Sequence, residues 1–248
     1  MAMKLGEITW PELKALDKSK MVPVYPIASF EQHGPHLPFL TDTLETQEIV
    51  DRLDQRLPDD VVCLPTQWLG YSYHHHRLGC LTATSDTHIN LMTETVACLL
   101  DSGFPRVMIV NGHGGNEADM AVTLQKLKER YADSRVFGVS YWKVAHERLE
   151  KLREAGPHGW GHAGEMETSM MMQIRPDLVK ADLPGMDGSH PESAHGDDVA
   201  QFLRVDEISE HGIHGDPSFG TKQKGDRMLD AAADALVEVV RDIQEGRL

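Results

Sequence analysis

The chain has 248 residues, of which 40% are hydrophobic and 25% charged, enough to bury a substantial core. Its 24 basic and 39 acidic residues leave a formal charge of -15, which argues against a surface that tracks nucleic-acid phosphates. No apolar run approaches the ~20 residues that a membrane-spanning helix needs, so neither nucleic acid nor membrane is an expected partner.

Helix and strand signals alternate along the chain. Thr9 followed by "WPELKALDK" reads as a short helix, with Pro11 in its first turn and Glu12 at its positive end. "MVPVYPIAS" reads as a strand, and residues 43 to 57 as a helix with Leu44, Ile49, Val50, Leu53 and Leu57 at helical spacing. "DDVVCLPTQWLGY" predicts a second short strand, leading into a loop rich in aromatic residues and histidine. "HINLMTETVACLLDSGF" is an amphipathic helix that stops at Gly103, because Pro105 cannot continue it. The apolar run of "RVMIVNGHGGN" is that of a buried parallel strand ending in a glycine-rich turn, and "EADMAVTLQKLKERYA" and "SRVFGVSYW" supply the next helix and strand. "EMETSMMMQI" starts another helix, and residues 222 to 244 close the chain with a last one. This order predicts an α/β layered fold with a mostly parallel central sheet, in one domain spanning residues 1–248, with its site at the carboxyl ends of the strands.

Cys63, Cys80 and Cys98 are widely spaced and form no CxxC pair, which speaks against both a disulfide framework and a thiolate zinc site. The polar N-terminal twenty residues lack the apolar core of a secretory signal. A cytoplasmic location is the expectation.

The candidate site lies in three segments. In "PIASFEQHGPHLPFLTDT", Gly34, Pro35 and Pro38 forbid a regular helix, so the run is a shaped loop at a strand end. Glu31 and His33 are two apart and leave the same face of extended backbone, and Asp42 follows where the loop can fold back. His113 in "NGHGGN" adds an imidazole from a neighbouring strand end. In "HGWGHAGEMETSMMM", Glu165 opens a helix whose Met170, Met171 and Ile174 face the core, and Glu165 and His162 are placed to reach the same cavity. Glu167, two residues on, is expected on another helix face in a supporting role. Glu31, His33, Asp42, His113 and Glu165 make five candidate ligands of mixed imidazole and carboxylate character, suited to zinc, manganese or iron rather than calcium. Five exceed a mononuclear catalytic zinc site and suffice for two ions if one carboxylate bridges them. His74, His75 and His76 read as surface or pocket wall, with His75 a candidate substrate contact. His190, His195, His211 and His214 lie in glycine-rich loops expected near the pocket mouth.

Together "SFEQHGPHLPFLTD", "NGHGGN" and "HAGEMETSMM" resemble the creatininase family, the metal-dependent amidohydrolases named for creatinine amidohydrolase, and the resemblance runs from "ITWPEL" to "GDPSFGTKQKG". It implies a three-layer α/β/α fold, a centre of two divalent ions and a homo-oligomer, often a hexamer. By resemblance, Glu31 and His113 hold one ion, His33 holds the other, Asp42 bridges them, and His162 acts in proton transfer. Trp142 matches a substrate-side tryptophan. Creatininases proper carry a glutamate ligand where this chain has Gly115 and a tyrosine where it has Gly114, so Glu165 is expected to replace the missing ligand and Gly114 to border the substrate.

The implied reaction is hydrolysis of a small-molecule or other non-peptide C–N bond (amide, lactam or formamide) by a hydroxide shared between two ions, zinc being the first expectation. His162 and Glu165 are the catalytic candidates beyond the ligands. The alternatives are creatinine amidohydrolase proper, a small-peptide hydrolase of the same family, a two-metal phosphoesterase, and a non-catalytic metal-dependent binding protein. The phosphoesterase reading is weakened because the three motifs contain no Arg or Lys to clamp phosphate.

Overall fold

A computed structural model describes residues 4–156, 158–185 and 201–248. Helix α1 (Trp10–Ala15) begins in a capping box, Thr9 and Glu12 each satisfying the other's backbone. The central sheet is built from β1 (Val22–Ile27), β3 (Val61–Cys63), β5 (Arg106–Asn111) and β6 (Arg135–Ser140), all parallel, in the order β3-β1-β5-β6. A two-stranded antiparallel ladder of β2 (Phe30–Glu31) and β4 (Cys80–Leu81) stands apart from it.

Strand β1 is central yet contains Pro23 and Pro26, which have no N–H to give to a ladder. Register explains why they are tolerated. Even-numbered residues of β1 bond toward β3, whose pairing ends at Val24↔Cys63, before Pro26. Odd-numbered residues bond toward β5, whose pairing begins at Val24↔Met108, after Pro23. Each missing donor therefore falls where no partner strand needs it.

Helices cover both faces of the sheet, giving three α/β/α layers. On one face, Val22, Val24, Met108 and Val110 pack against α2 (Thr41–Arg56), α7 (Glu165–Ile174) and α8 (Lys222–Glu245), through Ile49, Leu53, Met170, Met228, Leu229 and Leu236. On the other, Tyr25, Ile27, Val107 and Ile109 meet α3 (Ser85–Asp101) and α4 (Glu117–Arg130), through Met92, Val96, Met120 and Leu127. Two short helices, α5 (Tyr141–Val144) and α6 (His146–Glu150), follow β6. Side chains alternate sides along each strand, so β1 and residues Val107 to Val110 of β5 form unbroken apolar runs because both faces are buried.

Helix α2 starts at Thr41, two residues earlier than its apolar spacing indicates, which brings Asp42 into the first turn. Met170 and Met171 are fully buried, as the periodicity of α7 predicts, while Ile174 is partly buried against the same core. No helix among the described residues is long and apolar enough to cross a membrane.

Candidate metal centre

Three strand ends and two helix starts converge on one cavity of about 370 Å³. After β1 the chain forms β2, where Glu31 donates its backbone N–H to Phe39 and pairs with Cys80. Gly34 then takes φ 66, and a Cβ there would strike Ile213, so the reversal after His33 requires glycine. Asp42 comes from the first turn of α2, His113 from the end of β5, and His162 and Glu167 from the entry and first turn of α7.

Three backbone carbonyls settle which nitrogen of each imidazole carries its proton, because a carbonyl can only accept. His33 Nδ1 donates to the carbonyl of Glu31 at 3.1 Å, His113 Nε2 to that of Tyr71 at 3.0 Å, and His162 Nε2 to that of Gln32 at 2.7 Å. The opposite nitrogens are left to face carboxylates. His33 Nε2 lies 2.8 Å from Asp42 and 3.8 Å from Glu167, His113 Nδ1 lies 2.9 Å from Asp42, and His162 Nδ1 lies 3.6 Å from Glu31. In a neutral ring these nitrogens are unprotonated, and a lone pair against a carboxylate is repulsive unless a second proton or a metal cation lies between them; metal-ligating histidines are held in this way by an outer acceptor.

Glu31 points to the same conclusion. It is fully buried, and among the described residues neither carboxylate oxygen has an aligned hydrogen-bond partner, although nitrogens of His75 and His113 approach to 3.0 and 3.1 Å. A buried carboxylate without hydrogen bonds carries a large desolvation cost unless a positive charge compensates it. Ligand atoms of Glu31, Asp42 and His113, and of His33, Asp42 and Glu167, fall within 4.8 Å of one another, with Asp42 common to both groups. Imidazole and carboxylate in this proportion fit a divalent transition ion or zinc.

Burial and charge pull the titration of these groups apart. Desolvation opposes a charged His33, yet Asp42, Glu167 and Glu31 overcome it and raise it to about 10. His113 rises to about 9 in the same way, against burial and through Glu31 and Asp42. Asp42 resists its own burial and stays well below the usual carboxylate range because His33 and His113 face it. Burial pushes Glu167 up to about 7, the pull of His33 only partly offsetting it. His162 is held well below the ordinary histidine value by burial and by His33 and His75. Glu45, one turn after Asp42 and fully buried, is driven well above the carboxylate range by burial and then by Glu167 and Asp42; it accepts a hydrogen bond from Tyr141 at 3.4 Å.

Glu31, His33, Asp42, His113 and His162 are thus brought together. Glu165 is not, which corrects both the ligand and the catalytic role expected of it. Its carboxylate turns to the opposite side of α7, 2.6 Å from Lys224 Nζ of α8, and accepts backbone N–H donations from Glu154 and Ala155. The carboxylate that enters the site from this helix is Glu167. Two residues along a helix rotate a side chain by ~200°, so one of the pair faces the cavity and the other the core.

Gly115 has no room for a ligand: a Cβ there would lie 2.3 Å from the carbonyl of Tyr71 and 2.5 Å from His113 Nε2. His74 stacks on His113 at 5.4 Å beside the same position. Gly114, by contrast, opens onto free space, and it lines the cavity with Trp142 and His75. Trp160, which its motif does not single out, lines it too; its place two residues before His162 is the available signal. His214 also borders the cavity and donates its backbone N–H to the carbonyl of His162, whereas His190 and His195 lie outside the described residues.

The family model of the creatininases, described as creatinine amidohydrolase, matches residues 6–240. The chain belongs to the creatininase family. It is 27% identical over 98% of its length to a mycofactocin precursor peptide peptidase of Mycolicibacterium smegmatis, covering 92% of that protein. It is 28% identical over 72% of its length to a creatinine amidohydrolase of Pseudomonas putida, covering 74% of that protein. A solved structure described as "Creatininase Mn" superposes with a TM-score of 0.82 at 23% identity, covering 98% of each chain, and shows that the fold is shared. A creatininase of "Zn-Zn type" superposes at 0.83 with 22% identity, also over 98% of each chain. This chain is therefore a creatininase-family hydrolase with groups of side chains able to bind metal.

Proposed function

We propose that the protein is a two-metal amidohydrolase that cleaves a C–N bond (amide, lactam or formamide) of a small molecule. The observation that carries this reading is the convergence of ring nitrogens of His33 and His113 on Asp42, contacts that only a proton or a metal cation can satisfy, beside a buried Glu31 with no aligned hydrogen bond among the described residues. Glu31, Asp42 and His113 would hold one ion, and His33, Asp42 and Glu167 the other. Divalent ions there supply Lewis acidity toward a carbonyl oxygen and bring the pKa of a water toward neutrality.

The remaining work falls to the chain. His162 keeps Nδ1 unprotonated because its Nε2–H is committed to the Gln32 carbonyl, so Nδ1 can take up a proton and return it to the departing nitrogen. Trp142, Trp160, Met166, Leu203, Val205 and Ile208 give the cavity apolar walls that bind a flat, uncharged group and exclude water. Among the described residues no Arg or Lys lines it, which disfavours phosphate esters. The open space over Gly114 admits a group that a tyrosine would block, so the substrate is larger than creatinine in that direction. The same space favours, as a second reading, the end of a short peptide, the kind of molecule named for the mycobacterial relative. Zinc is the first expectation for the metal and manganese the second, as in the creatininases of known structure.

Elemental analysis of the purified protein, coupled to a panel of lactams, formamides and dipeptide amides, tests this. About two ions per chain and amide turnover that chelation abolishes and zinc or manganese restores are expected. Turnover that survives complete chelation would overturn the mechanism, and bound metal without turnover of any amide would favour the binding-protein alternative.

A further inference from the structure

A further cluster, Glu31, His74 and His75, also has ligand atoms within 4.8 Å and by composition alone competes as another metal site. The hydrogen bonds of Gln32 decide against it. Its side-chain Oε1 accepts from the backbone N–H of Gly34 at 2.8 Å, and its Nε2 donates to the carbonyl of Gly212 at 3.0 Å. Both partners are backbone groups with fixed roles, so the amide cannot be turned over without placing N–H against N–H and oxygen against oxygen. The same Nε2 lies 2.8 Å from His75 Nδ1 and 3.1 Å from His162 Nε2; the latter gives its own proton to the Gln32 carbonyl at 2.7 Å, so the second amide hydrogen goes to His75 Nδ1, which accepts. A neutral His75 then carries its proton on Nε2, the nitrogen 3.0 Å from Glu31 Oε1.

We propose that Gln32 fixes His75 as an N–H donor beside Glu31, which bars His75 from ligating a metal and makes Gln32 a positioning residue for the centre. His75 is the inverse of His33, His113 and His162: a carbonyl takes one proton of each of those and leaves the other nitrogen turned inward, where a metal could replace a proton, whereas an amide donor turns the one proton of a neutral His75 inward. With the amide clamped at both ends, His75 is buried to 2% exposure and holds an electropositive edge against a carboxylate that has no aligned hydrogen bond of its own. Outer contacts of this kind orient a ligand and tune its affinity without adding a coordination bond. Gly212 is part of the device: it takes φ 77, and a Cβ there would lie 2.0 Å from Gln32 Oε1.

The inference rests on the metal-centre reading, and the test separates the two. Zinc stoichiometry and affinity are measured by competition with a chromophoric chelator in the wild type, His75→Ala, His75→Gln and Gln32→Glu. In parallel, long-range proton–nitrogen NMR of zinc-loaded, histidine-labelled protein reads which ring nitrogen of His75 is protonated. His75→Ala should keep the wild-type number of zinc ions and bind one of them ~10- to 100-fold more weakly. His75→Gln, whose amide nitrogen reaches the Nε2 position, should restore affinity. Gln32→Glu keeps the acceptor for Gly34 but removes the donor to Nδ1, so the His75 proton should move to Nδ1. Loss of one zinc per chain in His75→Ala without rescue by glutamine, or an unprotonated His75 Nε2 in the wild type, would overturn the proposal. A wild type that binds no zinc would overturn the metal-centre reading instead, while the NMR assignment would still decide the role of Gln32.

Discussion

Glu165 and Glu167 sit two residues apart in the first turn of the same helix, yet they serve unrelated ends. Glu165 is sealed from solvent, paired with Lys224 and capped onto the backbone of residues 154 and 155, so it ties α7 to α8 and to the segment that leads to Trp160 and His162. Glu167 accepts one hydrogen bond, from the backbone of Ala163, and lies 3.8 Å from His33 on the cavity side. The first has its charge neutralised by protein, and the second is left for a ligand to neutralise. A buried carboxylate paired within the protein is costly to unpair, and an incompletely paired one in a cavity is a candidate site group.

The comparison breaks most visibly at Glu167. Glu167→Gln should fold with unchanged cooperativity, lose about one of two metal ions and lose at least ~100-fold in turnover; elemental analysis and amide hydrolysis check this. Retention of both ions and full activity would show that Glu167 is not the carboxylate that stands in for a ligand at Gly115.

Glu165 and Lys224 should give the opposite signature. Removing one partner alone, as Lys224→Met or Glu165→Gln, should destabilise the protein by about 3–5 kcal/mol in denaturant unfolding, because the other charge stays buried. The metal count of the folded fraction should not change. Glu165→Met combined with Lys224→Met should recover part of the loss.

A smaller contrast concerns the two glycines after His113. Gly115→Ala should displace His113 or His74 and weaken metal binding ~10- to 100-fold. Gly114→Ala, which meets open space, should leave stability within about 0.5 kcal/mol and metal affinity unchanged. Calorimetric unfolding and chelator competition distinguish the pair. Equal effects at both positions would mean that neither glycine is needed for close approach.

Much of this was legible in the chain itself. The alternating apolar patterns of residues 21 to 29, 43 to 57 and 106 to 130 reflect burial on two sheet faces, a local property repeated in every element. His33, His113 and His162 were legible because each stands beside a glycine in a turn where no core packing calls for it, and Glu31 and Asp42 because they flank the glycine- and proline-rich loop of residues 34 to 38. Trp160 and Glu45 were not, since a tryptophan in a loop and a glutamate within an amphipathic helix resemble ordinary packing and solvent-facing residues.

The sequence by itself therefore determined the three layers, the position of the candidate site at the strand ends and most of the side chains that meet there. What it left open is the facing of each side chain. Only the tertiary structure decided that Glu167, not Glu165, turns to the cavity, because the choice depends on Lys224, distant in sequence, meeting Glu165 from the last helix. Only the tertiary structure decided which nitrogen each histidine offers, because the carbonyls of Glu31, Tyr71 and Gln32 fix the protons once the chain has folded. Local pattern reports burial, whereas direction and protonation are set by partners that folding brings from elsewhere in the chain.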